Sequence, residues 1–177
     1  DLDIVISGQV IDGYLKNARV CLDLDQDNVC TSADPATTTD NQGKFTFNGI
    51  SKALAENTPY RCLVSKSCGA ETPLRVLAFT TDETMNITLG KEAPLTVNLA
   101  LSATVFINSP DQQNNSLFAR ITPYTTIADM VTGSASGASR DNYHSIFEQI
   151  AKTLGVDPDA ARSDYNDASD VTDESKK

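Results

Sequence analysis

The sequence contains no tryptophan, one histidine and two methionines in 177 residues. Without tryptophan, a flat platform for stacking sugars lacks its strongest member. With His144 as the single imidazole, a His-rich zinc site is excluded, and a Ser–His–Asp triad would have to be built on that one residue. No G-x-G-x-x-G, no phosphate-cradling loop and no nucleophile elbow is present. No apolar run approaches the ~20 residues needed to span a bilayer. Basic residues are also scarce: 14 Lys and Arg face 24 Asp and Glu, a formal net charge of −10. Such a surface repels nucleic acid and anionic membranes, and suits divalent cations or simple solubility. Together these absences predict a chain that is not an enzyme and does not bind nucleic acid.

What remains is alternation. "IVISGQV" sets Ile4, Ile6 and Val10 against Val5, Ser7 and Gln9. "ARVCLDLD" sets Ala18, Val20 and Leu22 against Arg19, Cys21 and Asp23. "DNQG" reads as a hairpin turn with Gly43 free to take positive φ, followed by Phe45 and Phe47 on one face. Further strands are predicted around 59–65, 73–80, 84–89 and 94–107, the last carrying Leu95, Val97, Leu99 and Leu101 on one side. Short strands between Gly, Asn, Asp and Pro turns predict an antiparallel β-sandwich, Ig-like or prealbumin-like, over residues 1–108. The polar "NSPDQQNNS" lacks periodicity and assigns 109–120 to a linker or long loop.

Helical signals follow. Thr122 with Pro123 and Gly133 frame one helix; Ser139 and Gly155 frame a second. The second has an apolar face of Tyr143, Ile146, Phe147, Ile150 and Leu154, with His144 as an exposed neighbour. Asp157 and Pro158 repeat the cap logic. Residues 121–166 are therefore expected as a small helical region of two or three short helices, and 167–177 as a polar, disordered tail. The chain opens on a strand, "DLDIVISGQV", as a mature or trimmed sequence would.

Cys21, Cys30, Cys62 and Cys68 form two local pairs without C-x-x-C spacing. An even count in short-range pairs favours disulfides Cys21–Cys30 and Cys62–Cys68 and an oxidising compartment. Each short loop so closed would stabilise by roughly 2–3 kcal/mol. The alternative is four free thiols in a cytosolic protein.

"DLDQDNVCTSAD", residues 23–34, carries the densest chemistry. Calcium takes about 6–8 hard oxygen ligands, and a twelve-residue loop supplies them from positions 1, 3, 5, 7, 9 and 12. Here these are Asp23, Asp25, Asp27, the carbonyl of Val29, Thr31 and Asp34. Asn28 takes the sixth place, where glycine is usual, and Asn tolerates a left-handed backbone. The closing Asp is shorter than the usual Glu, which permits a smaller or weaker site. Strands flank the loop, so an EF-hand is not expected. The alternative is a solvated acidic turn. Paired carboxylates also serve glycoside chemistry, but this spacing fits ligation better. "NIT" at Asn86 and "NNS" at Asn114 match glycosylation sequons, a pattern frequent by chance.

Residues 8–47 resemble a module of bacterial surface and secreted proteins. The match runs through Gly8, Val10, Asp12, Gly13, Tyr14, Ala18 and Val20, then Asp23, Asp25, Asp27, Asp34 and Pro35, then Thr38, Thr39, Asp40, Gly43 and Phe45. It is similar to the B-type repeats of Gram-positive adhesins and to carboxypeptidase-regulatory-like, prealbumin-type sandwiches. "ITPYTTIADMV" with the later "TLGV" resembles a "TPLTTL…ALGL" segment of Gram-negative surface lipoproteins, with Tyr124 in place of the usual Leu. The resemblance implies a calcium-stabilised sandwich acting as a structural or adhesion module, in the cell envelope or secreted. It also implies a piece of a larger protein. The expected partner is a surface glycan or protein, with membrane association only through a lipid anchor outside these residues. The alternative expectation is a carbohydrate- or peptide-binding module attached to an envelope enzyme.

Overall fold

The computed structural model describes residues 3–65, 67–68, 71–134 and 138–164. The last two residues of the expected helical region, 165–166, and the expected tail over 167–177 lie outside those residues.

The chain forms ten strands and five short α-helices among the described residues. In order these are β1 Val5–Val10, β2 Tyr14–Lys16, β3 Arg19–Asp23, β4 Ala36–Thr38, β5 Lys44–Phe47, β6 Thr72–Phe79, β7 Met85–Thr88, β8 Lys91–Pro94, β9 Ala100–Ile107 and β10 Ser116–Ile121. The helices are α1 Ser51–Glu56, α2 Arg61–Val64, α3 Pro123–Thr132, α4 Arg140–Thr153 and α5 Pro158–Arg162. The strands make three sheets, ordered β10-β1-β5, β2-β7-β8 and β4-β3-β6-β9.

Two of these sheets share one apolar cluster. Ile6 and Val10 of β1, Phe45 and Phe47 of β5 and Leu117 and Ile121 of β10 come from one side. Val20 and Leu22, Leu74 and Val76, and Leu101 and Val105 come from the other. Period-two alternation sends alternate residues of each strand inward, as the sequence pattern requires. The four-stranded sheet is also covered on its second face. There Phe106 joins Ala128, Tyr143, Phe147, Ala151 and Ala161 of the helices in a separate apolar cluster. This explains why Leu74 to Ala78 are buried without a break, since both faces of β6 are covered. Cys21 and Asp23, on the face of β3 opposite Val20 and Leu22, are buried as well, both tied to the loop that follows the strand.

Several expectations change. All pairings but one are antiparallel; β1 and β10 run parallel, Gly8 opposite Ala119. The first and last strands of the β-region meet after a long excursion, which alternation cannot reveal. Residues 116–120, assigned to a linker, and Ile121, assigned to the helical region, are this partner strand, because Leu117, Ala119 and Ile121 alternate into the core. The polar stretch before them masked that short pattern. Residues 59–65 fold as a 3-10 turn, Thr58–Tyr60, and then α2. Pro59 starts that turn, and a short apolar run reads equally as strand or helix. The long strand over 94–107 begins only at Ala100. "DNQG" does bend through Gly43 at φ 70, where an added Cβ would lie 2.4 Å from the carbonyl oxygen of Val10. It is not a hairpin between paired strands, however. It carries the chain from β4 in one sheet to β5 in another.

The helix signals agree with the structure. Thr122 and Thr125 form a reciprocal capping box at α3, Ser139 caps α4, and Asp157 caps α5 with Pro158 in its first turn. Leu154, expected on the apolar face of α4, follows the last helical residue and is exposed.

Candidate metal site

β3 ends at Asp23, and the acidic loop leaves the sheet there. Asp23 is buried and caps the turn beyond it: its two carboxylate oxygens accept from the backbone N–H groups of Asp27 and Asn28, each at 3.1 Å. Gln26 and Asn28 both take left-handed backbone, at φ 62 and φ 61. The expectation for Asn28 was legible; that for Gln26 was not. These two reversals coil the chain so that the exposed Asp25 and Asp27 come up beside the buried Asp23. One oxygen from each lies within 4.8 Å of the others.

Asp34 plays a different part. It is buried and accepts from Leu24 N at 3.1 Å, Thr31 N at 2.9 Å and Thr31 Oγ at 3.0 Å. It thereby joins the two ends of the loop instead of entering the three-carboxylate group. Thr31 directs its hydroxyl at Asp34, and the Val29 side chain is exposed. A disulfide joins Cys21 to Cys30 across the same loop, with Cα atoms 5.8 Å apart; a second joins Cys62 to Cys68 at 5.1 Å. Both expected pairings are present, and they point to an oxidising setting outside the cytoplasm.

Burial pushes the Asp23 carboxyl up to about 6, with the negative charge of Asp34 adding to the effect and the two backbone N–H bonds opposing it. An all-oxygen donor set of this kind suits a hard cation such as Ca2+ or Mg2+ and not a thiophilic metal. Three carboxylates so close repel one another in its absence.

Arg75 of β6 was missed by sequence reasoning. It lies directly opposite Asp23 on one side and Thr104 on the other. Its Nη1 donates to Asn28 Oδ1 at 3.2 Å and its Nη2 to the carbonyl of Gly133 at 2.8 Å. A single arginine inside the apolar "TPLRVLAF" was the available signal, because an arginine is seldom fully buried unless paired. The pairing is with Asp129 of α3, 3.6 Å from Nε, and both residues are at most 5% exposed.

His144 is half-exposed, 3.4 Å from Asp111, whose carboxylate also receives a two-pronged bond from Arg140 at 2.7 and 2.8 Å. That arrangement pins the 109–115 segment to α4 and holds the Asp111 carboxyl below its usual range, chiefly through Arg140. The Asn86 sequon is committed to the fold, since its amide donates to the carbonyl of Asp12 at 2.8 Å.

No protein-family model matches the chain, and no curated protein matches its sequence. The functional reading therefore rests on the loop, the disulfides and the shape of the β-region.

Proposed function

We propose that this chain is a non-catalytic, calcium-stabilised β-sandwich of the prealbumin type, serving as a structural or adhesion module of a bacterial cell-surface or secreted lipoprotein. The observation that carries the proposal is the gathering of Asp23, Asp25 and Asp27 within 4.8 Å on a turn held by Asp34 and closed by a disulfide. Two sheets sharing one core support the sandwich reading. The disulfides support a location outside the cytoplasm, and the resemblance of residues 8–47 supports the surface role.

In this reading Asp23, Asp25 and Asp27 hold Ca2+ with side-chain oxygens, and Val29 and Thr31 stand at the positions that complete the shell. The ion supplies charge neutralisation and cross-links the turn; it performs no chemistry. Titration calorimetry on metal-stripped protein near neutral pH will show one Ca2+ per chain, and Asp25→Asn will weaken binding at least tenfold. Binding requires ionised carboxylates, and Asp23 titrates near 6 without the cation, so affinity will fall roughly tenfold per pH unit below that value. The linkage of folding runs the other way. A raised carboxyl stabilises the cation-free fold below the ordinary carboxylate pKa, and that contribution is lost as pH rises through about 6. The cation therefore has most to offset at neutral pH. Titrations without heat at either pH would contradict the calcium assignment.

A second reading, a carbohydrate- or peptide-binding module attached to an envelope enzyme, is favoured by one crevice at the sheet–helix junction. It measures about 210 Å3 and is lined by Phe118, Arg120, Tyr143, His144, Phe147 and Arg162. The Arg120 guanidinium stacks over Phe118 at 5.1 Å and that of Arg162 over Phe147 at 5.0 Å, so flat aromatic and cationic surfaces meet there. This reading predicts glycan- or peptide-array hits that Phe118→Ala abolishes. An array blank at high protein concentration counts against it.

A further inference from the structure

We propose that Arg75 couples cation occupancy of the acidic loop to the order of the C-terminal end of α3. The inference rests on the calcium reading above and extends it to a second layer of the molecule.

Strand register sets Asp23, Arg75 and Thr104 in one row across β3, β6 and β9, on the face that the helices cover. From that row the guanidinium of Arg75 reaches three places. Nη1 holds the Asn28 side chain, at the second left-handed position of the loop. Nη2 holds the carbonyl of Gly133, the residue that ends α3. Nε faces Asp129, one turn back on the same helix, which also accepts from Ser102 and Thr104. A cation at a helix C-terminus is favoured by the helix dipole, so Arg75 serves as the cap of α3. Its planar fork is stiff, so moving one arm moves the others.

The loop arm is the one a metal ion controls. Asn28 follows Asp27 directly, and its left-handed backbone belongs to the turn that gathers the three carboxylates. With an ion among them, that turn is fixed and Asn28 stays on Nη1. Without an ion, carboxylate repulsion opens the turn, and the guanidinium loses the bond that holds it against Gly133. Coupling of this kind is reciprocal: whatever loosens the end of α3 also weakens cation binding.

Asn28→Gly provides the test. Arg75 variants strip Asp129 of its buried partner and endanger the fold, whereas glycine at position 28 keeps the left-handed backbone and removes only the side chain that Arg75 holds. Amide hydrogen exchange is followed by mass spectrometry on metal-stripped protein with and without saturating Ca2+. In the wild type, exchange at Thr132 and Gly133 will slow roughly fivefold or more on adding Ca2+, together with the loop amides. In Asn28→Gly the loop amides will still respond to Ca2+, and the α3 amides will not. A wild type whose loop responds while Thr132 and Gly133 do not overturns the coupling and leaves the calcium reading intact. So does an Asn28→Gly protein whose α3 responds as the wild type does. A wild type in which neither segment responds overturns both.

Discussion

Asp129→Ala will destabilise the protein by about 3–5 kcal/mol in urea unfolding, one of the largest single-residue effects expected here. Asp129 is 3% exposed and sits between α3 and the four-stranded sheet. It accepts from the hydroxyls of Ser102 and Thr104 and faces the guanidinium of Arg75. Burial alone raises its carboxyl, and these three partners pull it back toward the charged form. Removing the carboxylate leaves a buried, uncompensated arginine and two buried hydroxyls without their acceptor, and the cost of such orphans exceeds the net gain the pair once made. The loss should divide unevenly. Asp129→Asn, which retains an acceptor for the hydroxyls, will lose less than alanine does. A double variant, Asp129→Leu with Arg75→Met, will recover part of the loss, because it removes both charges at once. A wild-type unfolding midpoint in Asp129→Ala would show that the helices are held to the sheet by their apolar cluster alone.

Gly8→Ala will cost about 3 kcal/mol or more, beyond the usual penalty for one added methyl in a filled core. Gly8 lies between Ala119 on β10 and Phe45 on β5. A Cβ there would sit 1.9 Å from the carbonyl oxygen of Ala119 and 2.6 Å from the ring of Phe45. The ring can swing; the backbone carbonyl cannot, so relief requires the parallel β1–β10 pair to open. Gly155→Ala is the control. Its Cβ would meet nothing, and its cost is that of φ 74 alone, about 1–2 kcal/mol. Equal losses at the two positions, measured by thermal unfolding, would mean that the close approach at Gly8 is relieved without opening the pair.

The elements that could be read from the sequence were those whose signals are local. Caps at Thr122, Ser139 and Asp157 satisfy backbone groups within a few residues, so the three C-terminal helices were visible before any fold was known. The two cysteine pairs were visible for the same reason, since each closes a short loop. The partner of β1 was not, because parallel pairing between residues 5–10 and 116–121 has no local signature. The helical lid over the second face of the β4-β3-β6-β9 sheet was also hidden. Alternation set Cys21 and Asp23 opposite Val20 and Leu22 without showing that both faces of β3 are buried; Cys21 is bonded to Cys30 and Asp23 to the backbone of Asp27 and Asn28. In the acidic loop, the spacing of Asp23, Asp25 and Asp27 was legible and their convergence is observed. Asp34 carries the same side chain and fits the same spacing, yet it ties Leu24 to Thr31 at the two ends of the loop and lies outside the group of three carboxylates.

The central claim is that a divalent cation stabilises this fold through the acidic loop. The most direct test is the melting temperature of metal-stripped protein in excess Ca2+ and in EDTA. At a hundredfold excess over the dissociation constant, binding to the folded state alone stabilises by about 2.7 kcal/mol, which raises the melting temperature of a chain this long by roughly 5–10 °C. The predicted result is a shift of that size in the wild type and at most about half of it in Asp25→Asn, whose binding is at least tenfold weaker. Superimposable wild-type curves in Ca2+ and EDTA would contradict the account.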